Sequence, residues 1–521
     1  MPCLHRSSWI QKWLLVFVLL LAEKLVLVDA LVSNGTSMTF ESEAVAWDDH
    51  DPLAPPDFVW GVSTSSFQIE GSFDADGRTP SIWDGFPTRS GDNASVACDS
   101  YRHWPRDHEF LSDLGVNAYR FSLSWSRLLP EPNMSQPNPL AVQAYRAQLL
   151  SLKKRNIQPW LVLYHWDLPV YLQQQGGWLN RDTIKAFRDL ALVCFRAFGD
   201  LVHTWITMNE PLTMSVFGFG KDGISAPGRC TGCENGGDSA TEPYLVSHHL
   251  ILAHSLAAEL LASLNASRVG IVLNLECGYP FNASDPSDVE AAQRHHEFEL
   301  GWFADPIFGG RGEYPSSMVQ RVGQRLPRFS PEERLRLQLY RPAFFAVNHY
   351  SSMFVQNVRH LKSRPSTSFE DDKGAKLGFR DAQGQLIGKP CDVDWIHIVP
   401  QGLARLLRWI DARYDHPPIY VTESGTADSS VFDDALRQEY LSKYIPSMLR
   451  TISQGIDVRG YFVWSLMDNF EWADGFRTRF GLYFSNFSSP KIEIKPRRSA
   501  GLFSSIIRRT RRGLGDRWLL Q

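Results

Sequence analysis

From residue 57 onward the chain alternates apolar, strand-like runs with longer stretches of helical periodicity, and few folds accept that alternation repeatedly. The strand candidates are 58–67, 116–124, 158–165, 202–210, 269–276, 343–350, 418–423 and 458–466. Between them lie helices such as 183–198, where Ile184, Phe187, Ala191, Cys194 and Phe198 recur at helical spacing. Such alternation implies parallel strands joined by crossovers. Eight of them over about 450 residues predict an α/β fold, a single (β/α)8 TIM barrel enlarged by loop insertions. An open, doubly wound sheet is the alternative; no Gly-rich phosphate loop follows the first strand, which counts against it.

What the strand candidates end in narrows the chemistry. In order they close on Gln68 with Glu70, Ser124 with Trp125, His165 with Asp167, Asn209 with Glu210, Asn274 with Glu276, Asn348 with Tyr350, Glu423, and Trp464 with Asp468. The fourth is the clearest: His203-Thr-Trp-Ile-Thr-Met-Asn-Glu-Pro211 runs apolar and β-branched, then stops on an amide and a carboxylate. Pro211 has no N–H for a ladder, so the strand is expected to end at Glu210. A barrel gathers such ends into one ring at its carboxyl face, where ligands bind. One carboxylate there is more often a cap or a surface group; a full ring of polar and indole endings marks a site.

The net charge of -4 shows no basic footprint, so nucleic acid is not an expected partner. Neither a phosphate cradle nor a metal cluster accompanies the ring, and no cofactor or metal is expected. Glutamates, amides, an imidazole and a share of the 17 Trp suit a neutral, polyhydroxylated ligand. Planar apolar faces stack on sugar C–H groups while amides and carboxylates pair with hydroxyls. Glu210 and Glu423 end the fourth and seventh candidates and face each other across the mouth. Such a pair hydrolyses a glycosidic bond, one carboxyl protonated to assist the leaving oxygen and the other ionised at the oxocarbenium-like centre. A separation of about 5–5.5 Å gives retention and about 6.5–9.5 Å gives inversion, and the sequence leaves both open. Arg120 is either the charge that keeps one glutamate ionised or a structural ion pair inside the barrel.

The ends of the chain read differently. His5, Arg6 and Lys12 precede the apolar run 13–22, the pattern of a secretory signal peptide over 1–30 with a small-residue cleavage site at Val28-Asp-Ala30. An uncleaved anchor is the alternative, although Glu23-Lys24 interrupts the run; no membrane span is expected in the mature chain. An amino-terminal extension then covers 31–56, the hydrolase domain 57–495, and a basic, solvated tail 496–521. Sequons at Asn34, Asn93, Asn133, Asn265, Asn282 and Asn486 fit the secretory pathway, with an extracellular, vacuolar or lysosomal destination. Cys230-Thr-Gly-Cys233 reads as a loop-closing disulfide or a redox or zinc motif, without a second Cys or His pair to complete a zinc site. Cys194 reads as a packed free thiol.

Several of these stretches are long enough to be recognised. Phe58-Val-Trp-Gly-Val-Ser-Thr-Ser-Ser-Phe-Gln-Ile-Glu-Gly71, Tyr164-His-Trp-Asp-Leu-Pro169, Thr207-Met-Asn-Glu-Pro211, Asn348-His-Tyr350, Tyr420-Val-Thr-Glu-Ser-Gly425 and Trp464-Ser-Leu-Met-Asp-Asn-Phe-Glu-Trp472 resemble the motifs of glycoside hydrolase family 1, the β-glucosidase family. The resemblance spans about residues 57 to 495. It implies a retaining double displacement with Glu210 as general acid/base and Glu423 as nucleophile. It also implies that Gln68, His165, Asn209, Glu471 and Trp472 bind the sugar hydroxyls and that Trp464 stacks on the sugar face. Tyr350 and Arg120 then hold Glu423, with Asn348 in support, and Trp395 lines the leaving-group side. The implied substrate is a β-glucoside or oligosaccharide bearing a terminal β-D-glucosyl residue. The segment 227–233 resembles the disulfide loop of plant and related secreted members, with a shorter ring between Cys230 and Cys233. Two positions depart from the pattern: Ser424 stands where asparagine is common, and His349 where a second tyrosine is. Plant thioglucosidases of this family replace the acid/base glutamate, and klotho-like binding proteins typically lose one or both glutamates; Glu210 and Glu423 are both present.

Overall fold

The computed structural model describes residues 53–132, 136–220, 222–266, 268–358, 367–489 and 491–515. The expected signal peptide, most of the 31–56 extension, Asn34, Asn133 and residues 516–521 lie outside them. Eight parallel strands close into one barrel in chain order: β1 (Val59–Ser63), β2 (Ala118–Ser122), β3 (Gln158–Tyr164), β4 (Thr204–Asn209), β5 (Arg268–Asn274), β6 (Phe345–Asn348), β7 (Ile419–Ser424) and β8 (Val458–Trp464). Pairing of β8 with β1, from Val59 against Gly460 to Ser63 against Trp464, shuts the ring.

These strands are apolar on both faces because both faces are covered; β1, β2, β4 and β7 are buried at every position. Inside the barrel, small and branched residues (Val59, Ala118, Val162, Ile206, Val272, Ala346) surround four aromatic rings. The Trp160 ring lies 5.2, 4.7 and 5.0 Å from those of Phe344, Tyr420 and Phe462. Two strand glycines make room for them: a Cβ on Gly61 would stand 2.3 Å from the Phe462 ring, and one on Gly270 2.4 Å from Phe344. The Arg268 guanidinium, at the start of β5, lies over Trp160, Phe344 and Tyr420 and donates to the Tyr420 hydroxyl at 2.9 Å. Each buried ring contributes roughly 1.5–3 kcal/mol. The amino-terminal half of the barrel is thus filled, and polar groups collect at the carboxyl end.

Outside lie the helices α1 (Ser100–Leu114), α2 (Pro139–Lys154), α3 (Asp182–Phe198), α4 (Glu242–Ser263), α5 (Pro286–His296), α6 (Pro400–Arg413), α7 (Ala435–Ser453) and α8 (Arg498–Gly515). The stripe read from the sequence of α3 is the buried one, Ile184, Phe187, Ala191, Cys194 and Phe198, and Cys194 is a free buried thiol. Among the described residues α4 is long and apolar enough to cross a membrane, but most of it is buried in the barrel wall.

Two expectations are corrected. The first strand stops at Ser63, and 66–69 is a helical turn. Hydroxyls of the intervening residues bond elsewhere: Thr64 with the Tyr119 hydroxyl at 2.6 Å, and Ser65 to Gln68 Oε1 at 2.7 Å. The Ser65 bond is local, and such a bond favours a turn over a continued ladder. The stretch from 496 is not a solvated tail, and the barrel runs past 495. It is α8, whose Ala500, Phe503, Ile506 and Ile507 are buried while Arg508 and Arg511 face solvent. A basic run read residue by residue hides an apolar stripe at helical spacing.

Candidate active site

The carboxyl ends of the strands meet at one level: Glu423 of β7 pairs with Asn348 of β6, and Asn348 with Asn274 of β5. β4 ends at Asn209, one residue earlier than expected, because Glu210 adopts the left-handed conformation with φ 43°. That geometry is strained for a non-glycine residue, by about 1–3 kcal/mol. It turns the chain from the strand into the helix Pro211–Phe219, with Pro211 in the first turn. The Glu210 side chain is held on both oxygens, by Asn348 Nδ2 at 2.6 Å and by Thr213 Oγ1 at 2.8 Å. Asn274 Nδ2 in turn donates to Thr213 Oγ1 at 3.1 Å.

Glu423 is held differently. The Arg120 guanidinium, fully buried in β2, donates to Glu423 Oε1, and the Tyr350 hydroxyl donates to Oε2 at 2.7 Å. Arg120 also donates to Asn209 Oδ1 at 2.5 Å, and Asn348 Nδ2 reaches the same oxygen at 3.1 Å. One continuous chain of polar contacts therefore runs Glu423, Arg120, Asn209, Asn348, Glu210. Burial, then the nearby charge of Glu423, raises the Glu210 carboxyl to about 7. A buried carboxyl in this range is protonated at mildly acidic pH and available as an acid.

A second group lines the same mouth. Asn209 Nδ2 donates to His165 Nε2 at 3.0 Å, which places the neutral ring's proton on Nδ1. That buried Nδ1 has no protein partner, and burial with the Arg120 charge pushes the imidazole well below its usual range. His165 is thus a neutral donor with its hydrogen free. Gln68 Nε2 donates to Asn469 Oδ1 at 2.9 Å and to Glu471 Oε2 at 3.4 Å. Burial and the Glu423 charge raise Glu471 to about 8. The His165 ring lies near parallel to those of Trp464 and Trp472, with centroids 6.1 and 5.8 Å away. Trp472 also lies 6° from parallel to Phe67 and tilts against Trp83 and Trp166. Trp395, 40 % exposed, packs its edge 5.5 Å from Tyr350.

The candidate residues expected from the sequence thus lie together at the barrel mouth, linked by hydrogen bonds and stacked rings. The remaining named positions lie elsewhere: Cys230 and Cys233 form a disulfide in the loop after Pro211–Phe219, and Asn93, Asn265, Asn282 and Asn486 sit in loops or at an element's end. Among the described residues no group of His, Cys, Asp and Glu is arranged to hold a metal ion. Sequence reading passed over Thr213, which bonds to Glu210 three positions earlier, and Asn469, which orients Gln68. Only the i,i+3 spacing of Glu210 and Thr213 on a helix start signalled the first.

Comparison with known proteins follows the same lines. The family model for glycosyl hydrolase family 1 matches residues 51–512. This chain belongs to that family. It is a family 1 glycosyl hydrolase with 38 % identity to β-glucosidase 42 of Arabidopsis thaliana over 477 residues, 88 % of this chain and 95 % of that protein. A rice β-glucosidase crystal structure aligns with TM-score 0.83 and 37 % identity over 87 % of this chain and 98 % of that one. A mutant of the rice enzyme in a covalent complex with Glc aligns equally, at TM-score 0.83. An aphid myrosinase is similar at TM-score 0.80 and 34 % identity, over 87 % of this chain and 99 % of that one.

Proposed function

We propose that this family 1 enzyme is an exo-acting, retaining β-D-glucosidase. The observation that carries the reading is the contrast between the two glutamates joined through Arg120, Asn209 and Asn348. Glu210, raised to about 7, is the proton donor. Glu423, gripped by Arg120 and the Tyr350 hydroxyl, is the nucleophile.

In the first step Glu423 attacks the anomeric carbon while Glu210 protonates the departing glycosidic oxygen, and the aglycone leaves with that proton. In the second, Glu210, now ionised, takes a proton from water as the water attacks the same carbon and releases Glu423. His165 Nδ1, Gln68 and Glu471 meet the hydroxyls of the terminal sugar, and Trp464 its apolar face. Phe67, Trp83 and Trp166 pack around Trp472 beside His165, and an aromatic wall at that side of the mouth supports exo action. The β-glucosidase relatives and the covalent Glc complex of the rice enzyme support glucose and a covalent intermediate. The presence of Glu210, with its carboxyl raised to about 7 as a proton donor, favours O-glycosides over the thioglucosides suggested by the myrosinase likeness. Entry into the secretory pathway is part of the proposal, supported by the sequence of 1–30 and by the sequons, of which Asn93 and Asn265 are exposed.

A panel of aryl β-glucosides, β-galactosides, β-fucosides and β-thioglucosides tests the reading. The glucoside is expected to give the highest kcat/KM. Absence of turnover across the panel by correctly folded protein would overturn it.

A further inference from the structure

Ser424 follows the nucleophile in the chain, and its side chain points away from the mouth into the barrel wall, where it is fully buried. Its Oγ lies 3.0 Å from the hydroxyl of Tyr440, on α7. That phenol donates to the backbone carbonyl of Tyr350 at 2.9 Å and accepts from Ser424. One helical turn on, the Tyr444 hydroxyl donates to the same carbonyl at 3.1 Å and accepts from Val399 N–H at 3.1 Å. The two phenol rings stack with centroids 3.8 Å apart and 12° from parallel. Tyr350 returns the contact to the nucleophile through its hydroxyl at Glu423 Oε2, 2.7 Å away.

These bonds close a circuit: Glu423, the peptide to Ser424, its hydroxyl, Tyr440, the Tyr350 carbonyl, the Tyr350 ring and back to Glu423. A closed circuit fixes the distance between a carboxylate and its donor more firmly than either residue's rotamer does alone. All members are buried, and Tyr440 and Tyr444 are completely so, so water cannot substitute for a missing bond. Glu423 is faced by Arg120 from β2, Glu210 after β4, Tyr350 after β6 and Glu471 after β8. Of these, Tyr350 is the donor that α7 reaches through the circuit.

We propose that Tyr440 is a positioning residue, which with Ser424 holds the Tyr350 hydroxyl against the nucleophile from outside the pocket. Tyr444 is the second support on the same carbonyl. The inference rests on the assignment of Glu423 as nucleophile and extends it to a helix that touches no substrate.

A double-mutant cycle on the full-length protein tests it, with trapping by a 2-deoxy-2-fluoro-β-glucosyl fluoride as the readout. This probe reports the attack by Glu423 separately from binding of the sugar. Tyr440→Phe is expected to lower the trapping rate constant about tenfold, the scale expected for a small misplacement of a reacting group. The apparent binding constant of the probe is expected to stay near the wild-type value. In a Tyr350→Phe background the same substitution is expected to change the trapping rate by less than about twofold, because the group it positions is gone. Equal losses in both backgrounds, or a wild-type rate for Tyr440→Phe, overturn the proposal. If Tyr440→Phe does not fold, Ser424→Ala is put through the same cycle, with a smaller loss and the same coupling expected; additive losses there overturn it equally. Failure of the underlying reading is seen separately, as labelling of a residue other than Glu423 in the unsubstituted enzyme.

Discussion

Replacing Asn348 by alanine tests the electrostatic account of the acid. Asn348 Nδ2 donates to Glu210 Oε1 at 2.6 Å and is one of two side-chain donors on that carboxyl. A hydrogen bond to a charged group contributes about 1.5–3 kcal/mol, and about 1.4 kcal/mol corresponds to one pH unit. The bond favours the ionised form, so its loss moves the Glu210 carboxyl upward from about 7. With the Thr213 donor still in place at 2.8 Å, the lower end of that range applies, a rise of about one pH unit. Glu210 acts while protonated, so the basic limb of kcat/KM moves to higher pH by the same amount. The assay is a pH profile of kcat/KM, which reports the free enzyme. It needs a glucoside with a poor leaving group, such as methyl β-glucoside, whose departure depends on the acid. The maximal rate falls too, because Asn348 also steadies Asn209 at 3.1 Å, so the position of the limb and not its height is diagnostic. A limb that stays in place, or moves to lower pH, refutes the reasoning.

Other substitutions separate the remaining roles. Glu210→Ala is expected to slow methyl β-glucoside by at least about a hundredfold and 2,4-dinitrophenyl β-glucoside far less at the first step, with azide restoring part of the rate; equal losses on both would remove the acid role. Asp468→Asn is expected to cost about 3 kcal/mol in unfolding free energy, read by denaturant titration. Its buried carboxylate accepts from Arg479 at 2.9 Å and twice from Arg497 at 2.8 Å, and the substitution leaves two guanidiniums without their counter-charge. An unchanged midpoint would show that this cluster does not hold the loop between β8 and Trp472.

How much of this was legible in the sequence depended on the range of the signal. Strands β1 to β8 announced themselves because burial on both faces forces long apolar runs, and their ends announced the site because a barrel presents its strand ends together. Glu210 and Glu423 were therefore readable in a single chain, and the family resemblance added Arg120, Tyr350 and Asn348, while Thr213 on Glu210 was missed. The supports behind them were not readable. Tyr440 reads as an ordinary apolar-face residue of α7, and only the folded chain shows its hydroxyl at the Tyr350 carbonyl. Asn469 meets Gln68 across 401 positions, a contact without a local pattern. α8 was hidden for a different reason: four arginines between 508 and 512 mask the stripe of Phe503, Ile506 and Ile507 beneath them. Glu210 ended one position beyond its strand because the left-handed turn that aims it is dictated by its partners rather than by its own preference.

The division of labour between the two glutamates is the central claim, and trapping with a 2-deoxy-2-fluoro-β-glucoside followed by peptide mapping tests it most directly. The account predicts one stable glycosyl label per chain, on Glu423, and no labelling of the Glu423→Gln variant. A label on Glu210 or on any other residue would contradict it.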